Sequence, residues 1–191
     1  MLFNAEEFFT QSNKPKVVSK YFSFFRKGVL IDTEPLYLLI VGKYDFDNQT
    51  NFLKPLKFEI SDFEALRRFL NTLNNCPLFI TPHIFTKFIH LLWQHITDKN
   101  HFFKIIDTFM SHFSFIDEKY INKNEIMSLE QFKNKHYDLC NTSLILTAEK
   151  YNHNSIITCD PKFTGICQKR GNIMVVNYWE IKIFIQSLPK D

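Results

Sequence analysis

The strongest constraint in this 191-residue chain is a set of short apolar runs that do not alternate with polar residues. They are Val29–Asp32 (VLID), Pro77–Thr81 (PLFIT), Ser155–Thr158 (SIIT) and Ile173–Val176 (IMVV). A strand with one wet face alternates, whereas a strand covered on both faces reads as a continuous apolar run. The segments between the runs are long enough for one or more helices and too long for hairpins. Strands so spaced pair in parallel, with helices packed on both faces. The expected order is β-α-α-β-α-α-α-β-α-β-α, an α/β fold on a central parallel sheet of about four strands.

The first run opens the stretch GVLIDTEPLYLLIVG, Gly28–Gly42. Thr33 and Glu34 turn the chain into the apolar helical run Leu36–Val41. Asp32 stands at the carboxyl end of the strand, where open α/β sheets place their ligands. It is equally suited to capping the next helix. Lys43–Glu59 reads as irregular, because Asp45, Asp47, Asn48, Gln49 and Asn51 interrupt any period. Ser61–Glu64 has the S-x-x-E form of a capping box and starts a helix reaching about Asn74.

Pro82 suits the first turn of a helix over 82–96. There His83, Lys87, His90 and Gln94 form a polar stripe, which is either a solvated face or the wall of a cleft. His101–Phe115 reads as a helix burying Phe102, Phe103, Ile106, Phe109, Met110 and Phe113. Residues 117–137 read as a loop or lid with a helix from Ser128 to about Lys135. Helices follow over Asn141–Lys150, Pro161–Arg170 and Tyr178–Leu188. Residues 1–27, with helical candidates Ala5–Thr10 and Val17–Arg26, read as an arm laid against a domain of residues 28–191.

Composition excludes more than it selects. A formal net charge of +3 is too mild to mark a nucleic-acid binder by itself. The 22 phenylalanines against 4 glycines read as core filling. Cys76, Cys140, Cys159 and Cys167 have no metal-ligand spacing and read as reduced thiols. The N-terminus MLFNAEEFFTQSNK lacks the basic start of a signal peptide, and no apolar run approaches the roughly 18 residues of a membrane span. A soluble, cytoplasmic protein with no membrane partner is expected. The phosphate-loop, dinucleotide and nucleophile-elbow glycine motifs are missing.

Two of the strand runs lead into aspartate, Asp32 and Asp160, and a parallel sheet brings both to one edge. Paired carboxylates suit Mg²⁺ or Mn²⁺, hard cations that keep several waters. Such an ion clamps a phosphodiester and acidifies an attacking water.

LIDTEPLYLLIVG resembles the opening strand and helix of PIN domains, an apolar strand followed by D-T-N and a long apolar helix. LFITPHIFTKFIHLL is similar to the second strand and helix of a bacterial PIN-like subgroup carrying T-P-H-x-x-T-E. NTSLILTAEKYNHNSIITCDPKFTGICQKRGNIMVVN resembles the family's last third, with its T-x-D after the strand and its Asn after the final strand. The resemblance spans roughly residues 28–180. It implies a three-layer PIN-like fold and a metal-dependent ribonuclease gathering three or four acids around one or two divalent ions. Many such proteins are toxins of toxin–antitoxin pairs or RNA-processing nucleases, so it also implies RNA, and an antitoxin-like or complex-subunit protein, as partners.

Carried onto this chain, the resemblance places Asp32 at the first acid and Thr158 and Asp160 on T-x-D, with Asp160 the last acid. Lys87 stands where the second acid is expected and Thr142 where the third is. Glu34 replaces the Asn of D-T-N, and Lys162 replaces a further acid. An ammonium and a carboxylate about 4 Å apart attract by about 4 kcal/mol at an effective dielectric near 20, before desolvation. Lys87 is thus able to hold the two aspartates in place of a metal.

Alternatively Glu34 and Asp138 supply the missing acids and Thr142 holds a metal-bound water. Lys169 and Arg170 either contact a phosphate backbone or complement a helix dipole. Two functions follow. One is an endoribonuclease using Mg²⁺ or Mn²⁺ on Asp32 and Asp160, with Glu34 and Asp138 in the catalytic set. The other is a catalytically silent PIN-like module that binds RNA or a protein.

Overall fold

In the computed structural model the described residues are 24–73, 76–110, 114–115, 124, 139–152, 155–170 and 172–187. The arm helix expected at Ala5–Thr10, most of that at Val17–Arg26, the helix expected from Ser128, and Asp138 lie outside them.

Five strands form one parallel sheet: β1 (Val29–Ile31), β2 (Leu78–Ile80), β3 (Ser114–Phe115), β4 (Ser155–Thr158) and β5 (Met174–Asn177). Their order is β3-β2-β1-β4-β5, a four-stranded core with a two-residue strand added at the β2 edge. β1 is central, with Leu30 opposite Phe79 on one side and Ile156 on the other. Every residue of β1, β4 and β5 is buried. Successive strand residues point to opposite faces, so this pattern requires cover on both. Each fully buried Val, Leu or Ile contributes about 1.5–3 kcal/mol.

Among the described residues seven α-helices pack around the sheet: α1 (Thr33–Asn48), α2 (Ile60–Thr72), α3 (Pro82–His95), α4 (Lys99–Met110), α5 (Leu139–Tyr151), α6 (Pro161–Lys169) and α7 (Tyr178–Ser187). No helix among the described residues is long and apolar enough to cross a membrane.

Four expectations are corrected. First, α1 does not stop near Gly42 but runs to Asn48. Asp45, taken as a breaker, is buried on this helix, where it accepts hydrogen bonds from Thr50 Oγ1 (2.5 Å) and the Leu53 backbone N–H (2.9 Å). The acid pins the following loop instead of ending the helix.

Second, α2 starts two residues ahead of the expected box. Glu59 is its N-cap, and Asp62, not Glu64, occupies the third position and accepts from the Glu59 N–H at 2.8 Å. Third, the helix expected over 101–115 ends at Met110, and Ser114–Phe115 pairs with β2. Fourth, α4 buries Phe102, Ile105 and Phe109, the positions in phase with one face, and leaves Phe103 exposed. At the start of the described chain Phe25 is buried edge-on against Phe69, with ring centroids 6.1 Å apart.

Candidate functional site

The sheet order reverses at β1: the chain moves outward from β1 to β2 and β3, then returns on the other side as β4 and β5. Neighbouring strands at such a reversal leave a crevice at their carboxyl ends. Asp32 follows β1 and Asp160 follows β4, so both expected acids stand at this crevice.

The two are joined through one hydroxyl. Thr158, the last residue of β4, is fully buried; its Oγ1 donates to Asp32 Oδ2 at 2.7 Å and accepts from the Asp160 N–H at 3.1 Å. The Asp32 N–H in turn donates to the Ile157 carbonyl at 3.0 Å, continuing the β1–β4 ladder. Each aspartate also caps a helix. Asp32 Oδ1 accepts from the Thr33 N–H at 2.7 Å. Asp160 Oδ1 accepts from the Lys162 and Phe163 N–H groups at 2.7 and 3.2 Å. Both of these bonds fall on Oδ1, so among the described residues Asp160 Oδ2 has no backbone donor.

Glu34 lies in the first turn of α1. Its pKa is raised, first by desolvation, then by the charges of Asp32 and Asp160, while Lys87 acts in the opposite direction. Lys87 is half-buried on α3, within electrostatic reach of Glu34. The rest of its stripe is solvated: His83, His90 and Gln94 are exposed, and Gln94 Nε2 lies 2.9 Å from His90 Nε2.

Thr142 is buried on α5. The start of that helix approaches the start of α3, where Cys140 Sγ lies 4.0 Å from the His83 carbonyl. Lys169 and Arg170 stand at the far end of α6 from Asp160, roughly 12 Å along a nine-residue helix. Arg170 is engaged there by Glu149 at 2.7 Å.

No family model matches the chain, and no curated protein or solved structure matches it either. It is an α/β protein with an all-parallel sheet core.

Sequence reasoning passed over Trp179 at this edge. Trp179 Nε1 donates to the Cys159 carbonyl at 2.9 Å, fixing the residue between Thr158 and Asp160. Burial, followed by the charges of Glu34, Asp32 and Asp62, pushes the Cys159 thiol well up. Asn177, expected just after the final strand, is the last residue of β5; it accepts from the Trp179 N–H at 3.0 Å and donates to Thr164 Oγ1 at 3.3 Å, tying β5 to α6. Nothing in the local sequence marked the Trp, because its partner is a backbone carbonyl.

Among the described residues no group of three His, Cys, Asp or Glu is placed to hold a metal ion. The donor set nonetheless suits a hard cation that keeps its waters, since such ions take one or two carboxylates. Beside the acids, the Thr33 hydroxyl is buried without a hydrogen-bond partner among the described residues. Asp32 and Asp160 are the residues that would hold the ion.

Proposed function

We propose that this chain is a PIN-like protein of the metal-dependent ribonuclease type, acting on RNA phosphodiesters through a reduced acidic site. The observation that carries this reading is the joining of Asp32 and Asp160 through the Thr158 hydroxyl at the sheet's reversal point. The raised pKa of Glu34 supports it, because a glutamate whose ionisation is opposed by burial and then by two neighbouring carboxylates favours a cation nearby. Mg²⁺ or Mn²⁺, when bound, supplies charge neutralisation and an acidified water. The chain's own part is to hold Asp32 and Asp160 at a fixed spacing and to leave Asp160 Oδ2 clear of the helix it caps.

Lys87 favours a second reading, a silent PIN-like module that binds RNA. It puts a positive charge where the resemblance places an acid, and that charge already opposes the upward shift at Glu34 in part.

Melting with and without Mn²⁺, together with RNA cleavage, separates the two. A cation present at about 100 times its Kd stabilises by about 2.7 kcal/mol. Asp32→Asn and Asp160→Asn retain helix-capping ability, so these variants should stay folded while losing the Mn²⁺ shift and any cleavage. Cleavage that survives both substitutions would refute the nuclease reading. RNA binding with neither a metal shift nor cleavage favours the silent module.

A further inference from the structure

A cavity of about 240 Å³ lies between α1, α2, β2 and α4, away from the acidic edge. It reaches the first residue of β2, Leu78, whereas Asp32 and Asp160 stand at the carboxyl ends of their strands. Its apolar lining comes from Leu39 and Ile40 of α1, Phe63 and Leu70 of α2, and Leu78. Among the described residues its polar lining is Lys43, Arg67, Asn71 and Thr108, two cations and two neutral groups with no acid.

Arg67 is the distinctive member. Its guanidinium carbon sits 5.5 Å from the ring centroids of both Phe46 and Phe63. Among the described residues it makes no ion pair. Lys43 pairs with Asp47 at 2.5 Å, with both side chains more than two-fifths exposed. Exposed pairs of this i,i+4 kind are weak, so the ammonium is readily shared with another anion.

Gly42 helps to form the wall. A Cβ there would lie 2.6 Å from Phe63 Cβ, so the missing side chain lets Phe63 seat directly against α1.

We propose that this cavity binds a small monocarboxylate with an apolar body, its chain or ring against Leu39, Phe63, Leu70 and Leu78 and its carboxylate on Arg67, with Lys43 assisting. Size limits the class. A cavity of about 150 Å³ accommodates benzene and drug-sized ligands occupy about 300–1,000 Å³, so this one suits a ring with a short acidic tail. Charge limits it further: a planar guanidinium matches a carboxylate in two-point geometry.

The test is calorimetric titration of the full-length chain with 3-phenylpropionate and with its uncharged isostere 3-phenylpropionamide. The acid should bind saturably, and the amide about tenfold more weakly, the usual scale for losing a charged hydrogen bond. Arg67→Gln should weaken the acid by a similar factor and leave the amide unchanged. Leu70→Trp should abolish binding of both by filling the space. Asn71→Trp, at an exposed position on the lip, serves the same purpose should the first variant melt early. Equal affinity for acid and amide, unchanged affinity in Arg67→Gln, binding that survives both tryptophan variants, or no binding of the acid would each overturn the proposal.

Discussion

Thr158→Val is the sharpest probe of the edge that joins the two aspartates. Valine has the shape of threonine and suits a buried strand, so the change removes the hydroxyl and little else. Two partners are left behind. Asp32 Oδ2, on a residue only 7% exposed, loses its 2.7 Å donor. The Asp160 N–H loses its 3.1 Å acceptor. A hydrogen bond to a charged group is worth about 1.5–3 kcal/mol, and a stranded backbone donor adds about 1 kcal/mol where water reaches it in part. The sum is about 3 kcal/mol, a large share of a typical 5–15 kcal/mol stability. For a chain of this length that lowers Tm by roughly 6–12 °C. Thr158→Ser keeps the hydroxyl and deletes one methyl group, at a cost of about 1 kcal/mol. Urea denaturation of wild type and both variants, compared at constant m, measures the difference. If Thr158→Val is no less stable than Thr158→Ser, the hydroxyl does not tie the aspartates together and the argument fails.

Three other outcomes are expected. Because the folded-state pKa of Glu34 lies above its ordinary 4.5, the folded protein holds a proton there that the unfolded chain has already released. Its stabilising contribution is therefore complete below about pH 4.5 and lost as pH rises through the folded value. Glu34→Gln should raise Tm at pH 7 and lose that advantage near pH 4; a pH-independent difference would remove the electrostatic cause.

Asp62, 1% exposed, accepts from Tyr178 Oη at 2.7 Å and pairs with Lys182 at 2.6 Å, so Asp62→Ala should cost about 3–5 kcal/mol in urea unfolding. A cycle with Tyr178→Phe should show coupling of about 0.5–3 kcal/mol, and strict additivity would argue against the network. Among the glycines, Gly165→Ala meets nothing within 4 Å inside α6 and should gain up to about 1 kcal/mol from helix propensity. Gly42→Ala drives a methyl into Phe63 and should lose about 1–3 kcal/mol by overpacking, so equal signs in the two urea midpoints would contradict the packing.

The parallel core was legible because two-sided burial leaves its mark directly in composition. VLI, SIIT and MVVN are buried at every position, and each of the runs first read as a strand became one. β3 was not legible, since a two-residue edge strand has no run to detect. The start of α2 was ambiguous for a different reason: Glu59–Asp62 and Ser61–Glu64 are both acceptable cap pairs three residues apart. Which one is used depends on Asp62 meeting Tyr178 and Lys182, 116 and 120 positions along the chain. The length of α1 depended likewise on Thr50 and Leu53 satisfying a buried Asp45. At the acidic edge, Asp32 and Asp160 were visible as strand-end acids. The hydroxyl between them was visible only as the Thr of T-x-D, because its role depends on β4 lying beside β1.

That neighbour relation also explains how acids collect at one edge of a mildly basic chain. α1, α3, α6 and α7 each begin directly after β1, β2, β4 and β5, so four helix N-termini face the carboxyl edge of a parallel sheet. Each N-terminus favours a nearby anion by about 0.3–1 kcal/mol, and Asp32 and Asp160 each cap one of these helices directly. The fold thus offsets the first two negative charges. It does not offset the third: Glu34 sits one residue inside α1, where it caps nothing, and it keeps its proton more tightly than an isolated glutamate. Lys87 opposes that shift but ranks behind desolvation, Asp32 and Asp160. A further positive charge at this edge therefore acts on Glu34 in the same sense as Lys87, lowering its pKa toward the ordinary value.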